Sequence, residues 1–279
     1  VECRVGDIGV YYEVIGEGRP IVMLHGLGGD HSEMVFELEH LFARRDGWKR
    51  IYLDLPGMGK TPAPPGMSTR DEVLQVVEDF IDRVIPRERF IAAGRSLGAY
   101  LARGLVFRRG ASMDGVLLNV PAVTPRPDRN KRAPRIVLKT DPNIVKKAQS
   151  EGIDLAWLEE MTVAYNADLL DYARVFHAMP RPADPQVLER FWENHSYAFD
   201  VNTLSRPFPA PALFIMGRQD RIGGDYRGVW KILDDYPRAT FAVLDRSGHL
   251  VAGEQRTLYS ALVHEWLDRV EDWVTTNPS

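Results

Sequence analysis

A single cysteine, Cys3, carries all the thiol chemistry of the 279 residues. It excludes an internal disulfide and fits a reducing compartment. The paired cysteines of a zinc site are absent, and so is H-E-x-x-H. No apolar run nears the length of a membrane span. Val1 to Val10 carries acids and glycines rather than the apolar core of a leader. Charge is nearly balanced, with 35 Lys+Arg against 39 Asp+Glu and a net charge of -4. That excess offers no electrostatic attraction to nucleic acid or an anionic membrane. There is no internal repeat and no low-complexity tract. These absences lead to the expectation of a soluble, cytoplasmic protein with no cofactor and no metal. Its expected partner is a small molecule; a homodimer is left open.

What is present is an alternation of strand and helix patterns. Val10–Ile15 and Ile21–Leu24 are β-type runs split by Gly16, Gly18 and Pro20, which suggests a hairpin or neighbouring strands. Ile51–Leu55 reads as a strand ended by Pro56-Gly57. Arg70–Ile85 reads as a helix with Val73, Leu74, Val77, Phe80, Ile81 and Val84 on one face. Phe90–Ala93, Leu97–Phe107 and Gly115–Val120 continue as strand, helix, strand. The pattern predicts βαβ units and a mostly parallel sheet.

The texture changes at Pro121. The stretch from there to Pro209 holds ten of the nineteen prolines. Arg126–Lys139 carries six basic residues against one acid, and helical patterns such as Leu155–Leu170 follow. Residues 122–209 therefore read as a mostly helical insertion, and residues 1–121 with 210–279 as the core. Strands resume at Ala212–Met216 and Thr240–Leu244, with a helical stretch around Tyr226–Asp234 between them. In the last helix Leu258, Leu262 and Trp266 are expected on a buried face.

The chemistry centres on Gly94-Arg95-Ser96-Leu97-Gly98, a G-x-S-x-G between strand and helix. A sharp turn there exposes the Ser96 hydroxyl. Side chains two positions before or after would clash, which accounts for Gly94 and Gly98. A serine needs a base. His249, in a loop after the last strand pattern, is the best placed of seven histidines. His31, His40 and His264 fall in helical patterns, and His177 and His195 in the insertion. Asp220, in the loop after Ala212–Met216, supplies the orienting acid, with Asp225 in reserve. "HGLGG" after Ile21–Leu24 offers backbone N–H groups to an oxyanion. The expected donors are the amides of Leu27 and Leu97, with His25 and Gly26 shaping the loop. Two nucleotide-site patterns fail on context. "GLGGDH" has His31 where a third glycine belongs, and "GMGKT" is followed by Pro62, Pro64 and Pro65 where a helix should begin.

HGLGG, DLPGMGK (Asp54–Lys60), GRSLG, GRQD and SGH, in this order, resemble the α/β-hydrolase fold superfamily over nearly the whole chain. The resemblance implies an α/β fold with a mostly parallel central sheet flanked by helices. It also implies a helical cap inserted after the sixth strand, at 122–209, over the active site. Relatives that open epoxides or remove halides carry aspartate at the elbow. Ser96 instead implies a carboxylic ester hydrolase working through an acyl-enzyme. C–C bond hydrolases and proline-iminopeptidase-like enzymes share the triad, and a ligand-binding protein with little turnover is the alternative of another class. Glu159, Glu160 and Glu193 are the acids an iminopeptidase would need. Trp157, Tyr165, Phe176, Trp192, Tyr197 and Phe199 would roof an apolar pocket.

Overall fold

A computed structural model of the chain describes residues 1–123, 135–153, 158–179, 185–194, 196–223 and 226–277. Eight strands form one sheet: β1 (Glu2–Val5), β2 (Ile8–Ile15), β3 (Arg19–Leu24), β4 (Trp48–Leu53), β5 (Phe90–Arg95), β6 (Met113–Asn119), β7 (Ala212–Gly217) and β8 (Ala239–Leu244). Their spatial order is β1-β2-β4-β3-β5-β6-β7-β8. β1–β2 and β2–β4 pair antiparallel; every other neighbouring pair is parallel.

The hairpin expected of β2 and β3 does not form. Tyr12–Ile15 pair with Leu53–Arg50, and β4 lies between the two strands. Parallel pairing on both sides of β3 buries its apolar run fully, which a hairpin at the sheet edge would not do.

Alternate residues of the central strands feed two cores. Val22, Leu24, Ala92, Val116, Leu118, Phe214 and Met216 face one layer, which contains α2 (Arg70–Val84) and α3 (Leu97–Arg109). Ile21, Met23, Ile91, Ala93, Leu117, Leu213 and Ile215 face the other, with α1 (His31–Leu38) and α9 (Arg256–Thr276). α2 starts at a capping box, in which Thr69 and Glu72 satisfy each other's backbone N–H. The buried face of α9 is Tyr259, Val263, Trp266, Leu267 and Val270. Leu258 is 51% exposed, so the predicted stripe was one residue out of phase at its start.

Between β6 and β7 the described residues form α4 (Pro142–Ser150), α5 (Ala167–Ala178) and α6 (Pro185–Glu193). The helix expected over Leu155–Leu170 is not seen in 158–166. An isolated bridge joins Lys139 to Ala164, and Asn166 caps a helix that begins only at Ala167. The β-branched pair Thr162-Val163 suits that extended segment. After β7 come the short α7 (Arg227–Trp230) and, past β8, α8 (Val251–Glu254). No described helix is long and apolar enough to cross a membrane.

Candidate active site

Ser96, Asp220 and His249 follow β5, β7 and β8, so all three stand at the carboxyl edge of the parallel strands. That is where an open α/β sheet gathers its ligands. β5 ends at Arg95 and α3 begins at Leu97. Ser96 bridges them at φ 52°, ψ -110°, a left-handed conformation that a non-glycine residue rarely adopts. Its N–H donates to the Asn119 carbonyl at 2.9 Å, and its carbonyl accepts from Tyr100 N–H at 3.0 Å. The turn is thus pinned on both sides.

Both elbow glycines have a steric reason. A Cβ on Gly94 would strike the Gly98 carbonyl, and one on Gly98 would strike the carbonyls of Leu24 and His25. These are buried backbone atoms of β3, the loop after it and the first turn of α3, and they cannot swing away. Gly98→Ala is therefore expected to cost about 3 kcal/mol or more in unfolding free energy. A urea titration checks it; an alanine variant as stable as the wild type would show that the elbow has slack.

The side chains form a relay. His249 Nε2 lies 3.0 Å from Ser96 Oγ, and His249 Nδ1 lies 2.8 Å from Asp220 Oδ2. The second Asp220 oxygen accepts from the N–H groups of Ile222 at 2.8 Å and Gly223 at 3.0 Å. Burial pushes the Asp220 carboxyl up, but the charge and hydrogen bond of His249 and the two backbone donors outweigh it. The carboxyl lies below its usual range. An ionised Asp220 fixes the histidine tautomer with its proton on Nδ1, leaving Nε2 free to accept from Ser96.

The loop after β3 is held by the His25 ring. His25 Nδ1 donates to the Gly26 carbonyl at 2.7 Å, while Nε2 accepts from Leu55 N–H at 2.9 Å. The buried ring ties this loop to the Asp54–Lys60 segment. Gly28 holds φ +79°. Among the described residues, the amides of Leu27 and Leu97 donate to no acceptor.

Residues 21–262 match the model of the alpha/beta hydrolase family. The chain belongs to that family. Among curated relatives of this α/β hydrolase is the AB hydrolase superfamily protein YisY of Bacillus subtilis, 33% identical over 122 residues. The match covers 42% of the chain and 44% of that relative, so the chain spans under half of its length. The pimeloyl-[acyl-carrier protein] methyl ester esterase of Nitrosospira multiformis is 25% identical over 88% of the chain and 93% of its own length. A solved α/β superfamily hydrolase from Oenococcus oeni superposes with TM-score 0.79 at 27% identity, covering 95% of this chain and 97% of that one.

Beneath the relay of this α/β hydrolase lies a buried ionic network that sequence reading missed. Arg95 Nη1 meets Glu33 Oε1 at 2.8 Å, and its Nε meets Glu37 Oε1 at 3.2 Å. Arg95 Nη2 donates to the carbonyl of His249 at 3.1 Å. Glu33 Oε2 accepts from Gly26 N–H at 2.6 Å, and Tyr172 of α5 donates to Glu33 Oε1 at 2.5 Å. Asn119 and Tyr259 donate to Glu37. One guanidinium thus joins the elbow, the glycine loop, the histidine loop and the inserted helices. Burial and the neighbouring Glu33 charge push Glu37 up to about 7, against the opposing pull of Arg95. A faint signal existed: Glu33 and Glu37 stand four apart on α1, on the face of Met34 and Leu38.

Glu254 forms a second tie. Its Oε2 accepts from Gly248 N–H at 2.6 Å, and its Oε1 from Val163 N–H at 2.6 Å and Ala164 N–H at 3.0 Å. The His249 N–H donates to the Met161 carbonyl at 2.6 Å. The histidine loop is therefore seated on residues 161–164 of the insertion.

Among the described residues, the remaining histidines stay out of the relay. His31 is buried, with Nδ1 2.8 Å from Asp54 Oδ1 and Nε2 3.3 Å from Glu13 Oε1. His40 lies 3.3 Å from Ser260 Oγ, His264 accepts from Arg45, and His177 is exposed. Of the three acids weighed for an amine site, Glu159 pairs with Arg135 and Glu160 with Arg221. Glu193 is on the surface. Tyr165 and Tyr197 are buried, and Phe176 and Phe199 half-buried. Asp225, His195, Trp157, residues 126–134 of the basic stretch and the Trp192 side chain lie outside what is described.

His31 makes stability depend on pH. Burial lowers its pKa, but the Asp54 hydrogen bond and the charges of Asp54, Asp30 and Glu13 raise it further, for a net upward shift. The unfolded value is about 6.5. Below that the stabilisation is complete; it is lost as pH rises through the higher folded value. Urea midpoints of wild type and His31→Gln are expected to differ most at acidic pH and to converge once the pH has risen past the folded value. A difference independent of pH would assign His31 a packing role alone.

Proposed function

We propose that this α/β hydrolase cleaves carboxylic esters of small molecules through Ser96, Asp220 and His249. The observation that carries the reading is the relay itself. It runs from hydroxyl to imidazole to carboxylate at 3.0 and 2.8 Å, with the serine held in a strained elbow.

In the proposed cycle Ser96 Oγ attacks the ester carbonyl carbon as His249 Nε2 takes the hydroxyl proton. Asp220 stabilises the imidazolium that forms. The oxyanion is received by the amides of Leu27 and Leu97, with Leu97 at the positive end of α3. His249 then gives its proton to the departing alkoxide, and the alcohol leaves. Water, deprotonated by His249, attacks the acyl-enzyme and releases the acid. The unengaged state of both amides supports their role. Ester cleavage is also the activity named for the Nitrosospira multiformis relative.

Residues 122–209 act as the cap in this reading. Leu188 of α6 lies 3.8 Å from where a Gly28 Cβ would stand, and Val187 packs on Gly57. An α-helix thus lies against the loop that receives the oxyanion, placing its apolar side chains where an acyl chain would run.

Hydrolysis of p-nitrophenyl esters of increasing acyl length tests the proposal. Turnover with an optimum length supports it and measures the pocket. Inertness toward every ester would discard it in favour of C–C bond cleavage, amide cleavage or binding without turnover.

A further inference from the structure

Three arginine side chains are buried among the described residues: Arg70 at 4% exposure, Arg95 at 5% and Arg103 at 0%. Two are answered from within the chain. Arg95 faces Glu33, Glu37 and the His249 carbonyl. Arg103 donates to the carbonyls of Ala122 at 2.9 Å and Val201 at 3.1 Å, and to Asn202 Oδ1 at 2.5 Å.

Arg70 has no such answer. No described residue accepts a hydrogen bond from it or sets a carboxylate against it, and its Nη1 is wholly buried and unpaired. Its flat face lies on the ring of Phe191, 5.4 Å from guanidinium carbon to centroid. The other groups acting on its charge are the phenols of Tyr197 and Tyr100. The acids of its own helical turn are engaged elsewhere. Asp71 accepts from Ala198 N–H and faces Arg108, and Glu72 closes the helix cap. Burial pushes the Arg70 pKa down to about 10. The start of α2 is also the positive end of that helix, which disfavours a cation further. A charge held there without a partner is costly. The unpaired Nη1 belongs to the N–H edge of the guanidinium, since the ring covers a face. That edge is the surface on which arginine grips a planar carboxylate with two parallel bonds.

The location connects this cation to the reacting serine. Tyr100 stands one turn of α3 from Ser96, about 6 Å along the axis, and its N–H donates to the Ser96 carbonyl. Phe191 belongs to α6, the helix whose Leu188 lies against Gly28. Arg70 therefore sits in the same seam between core and inserted helices as the oxyanion loop.

We propose that Arg70 is a substrate-binding residue that recognises a carboxylate at the far end of the acyl chain, making half-esters of dicarboxylic acids the preferred substrates. The proposal rests on the ester-hydrolase reading for its reaction but not for its binding.

The test compares two p-nitrophenyl esters of equal chain length, the hexanoate and the adipate half-ester, on wild type, Arg70→Met and Arg70→Lys. The ratio of kcat/KM for adipate over hexanoate is expected to fall on the order of 100-fold in Arg70→Met. Arg70→Lys should retain part of it, since the charge remains without the fork. Arg70→Met removes a buried unpaired charge, so its melting temperature should match or exceed that of the wild type. A ratio unchanged by Arg70→Met overturns the proposal. Binding is measured separately by the thermal shift that adipate produces in Ser96→Ala. A shift that disappears in Ser96→Ala/Arg70→Met upholds the carboxylate site even where no ester is turned over. Hexanoate turnover without any adipate shift removes the site and leaves the hydrolase.

Discussion

Ser96→Ala is expected to lower kcat/KM for ester hydrolysis on the order of 10⁴- to 10⁶-fold while leaving the fold intact. The loss is large because the three groups work as a unit. Without Oγ there is no acyl-enzyme, and His249 and Asp220 have no proton to move toward substrate. Residual turnover would come only from binding a water near the Leu27 and Leu97 amides. Alanine keeps the left-handed backbone at 96 and needs no more room than serine. The Asn119 carbonyl and the Tyr100 N–H still hold the turn. Thermal melts of wild type and variant should therefore superimpose within a few degrees. Asp220→Asn separates the roles further. It keeps the shape but reverses the donor logic at His249 Nδ1, and a loss near 10⁴-fold is expected. Wild-type rates in Ser96→Ala, measured on purified protein free of contaminating esterase, would remove the serine from the chemistry.

The second large effect concerns stability. Arg95→Met is expected to cost about 3–5 kcal/mol in unfolding free energy, because it leaves Glu33 and Glu37 buried without their counter-charge. Burial works against the Arg95 charge, yet Glu33, Tyr172 and Glu37 hold it more firmly protonated than a free arginine. Glu33 in turn is held below the usual carboxylate range, despite its burial, by Arg95, Tyr172 and Gly26 N–H. Removing the cation withdraws the largest of these supports. The triple variant Arg95→Met/Glu33→Gln/Glu37→Gln should recover much of the loss, since no uncompensated charge remains. Urea titrations of the single and triple variants decide the matter. Equal losses in both would mean that packing, not charge pairing, is what Arg95 supplies. Activity should suffer in both, because the His249 carbonyl loses its donor.

Several parts of this molecule are legible without coordinates because their signals are local. G-x-S-x-G between a strand pattern and a helical one demands glycines on steric grounds that hold within five residues, and the Gly94 and Gly98 contacts follow. The order of Ser96, Asp220 and His249 along the chain, each after a strand, suffices to nominate them. Other elements were misread where two local patterns compete. Val10–Ile15 and Ile21–Leu24 look like hairpin partners, since only β4, which begins 24 residues after β3 ends, can separate them. Leu258 fits an i, i+4, i+8 stripe as well as Tyr259 fits its own, and the sheet surface alone selects the second.

The sequence by itself determined the βαβ alternation and the mostly parallel sheet, and it nominated the insertion point near Pro121, the elbow and Ser96, Asp220 and His249 as the relay. These depend on periodicity, on glycine sterics and on chain order, which are short-range properties. Only the tertiary structure decided which acids meet Arg95, which carbonyls answer Arg103, and that Arg70 meets neither among the described residues. The partners of Arg95 lie 58 and 62 positions before it and 154 after it. Whether a buried charge finds a counter-charge is a matter of three-dimensional proximity at ångström scale, and no spacing along one chain encodes it.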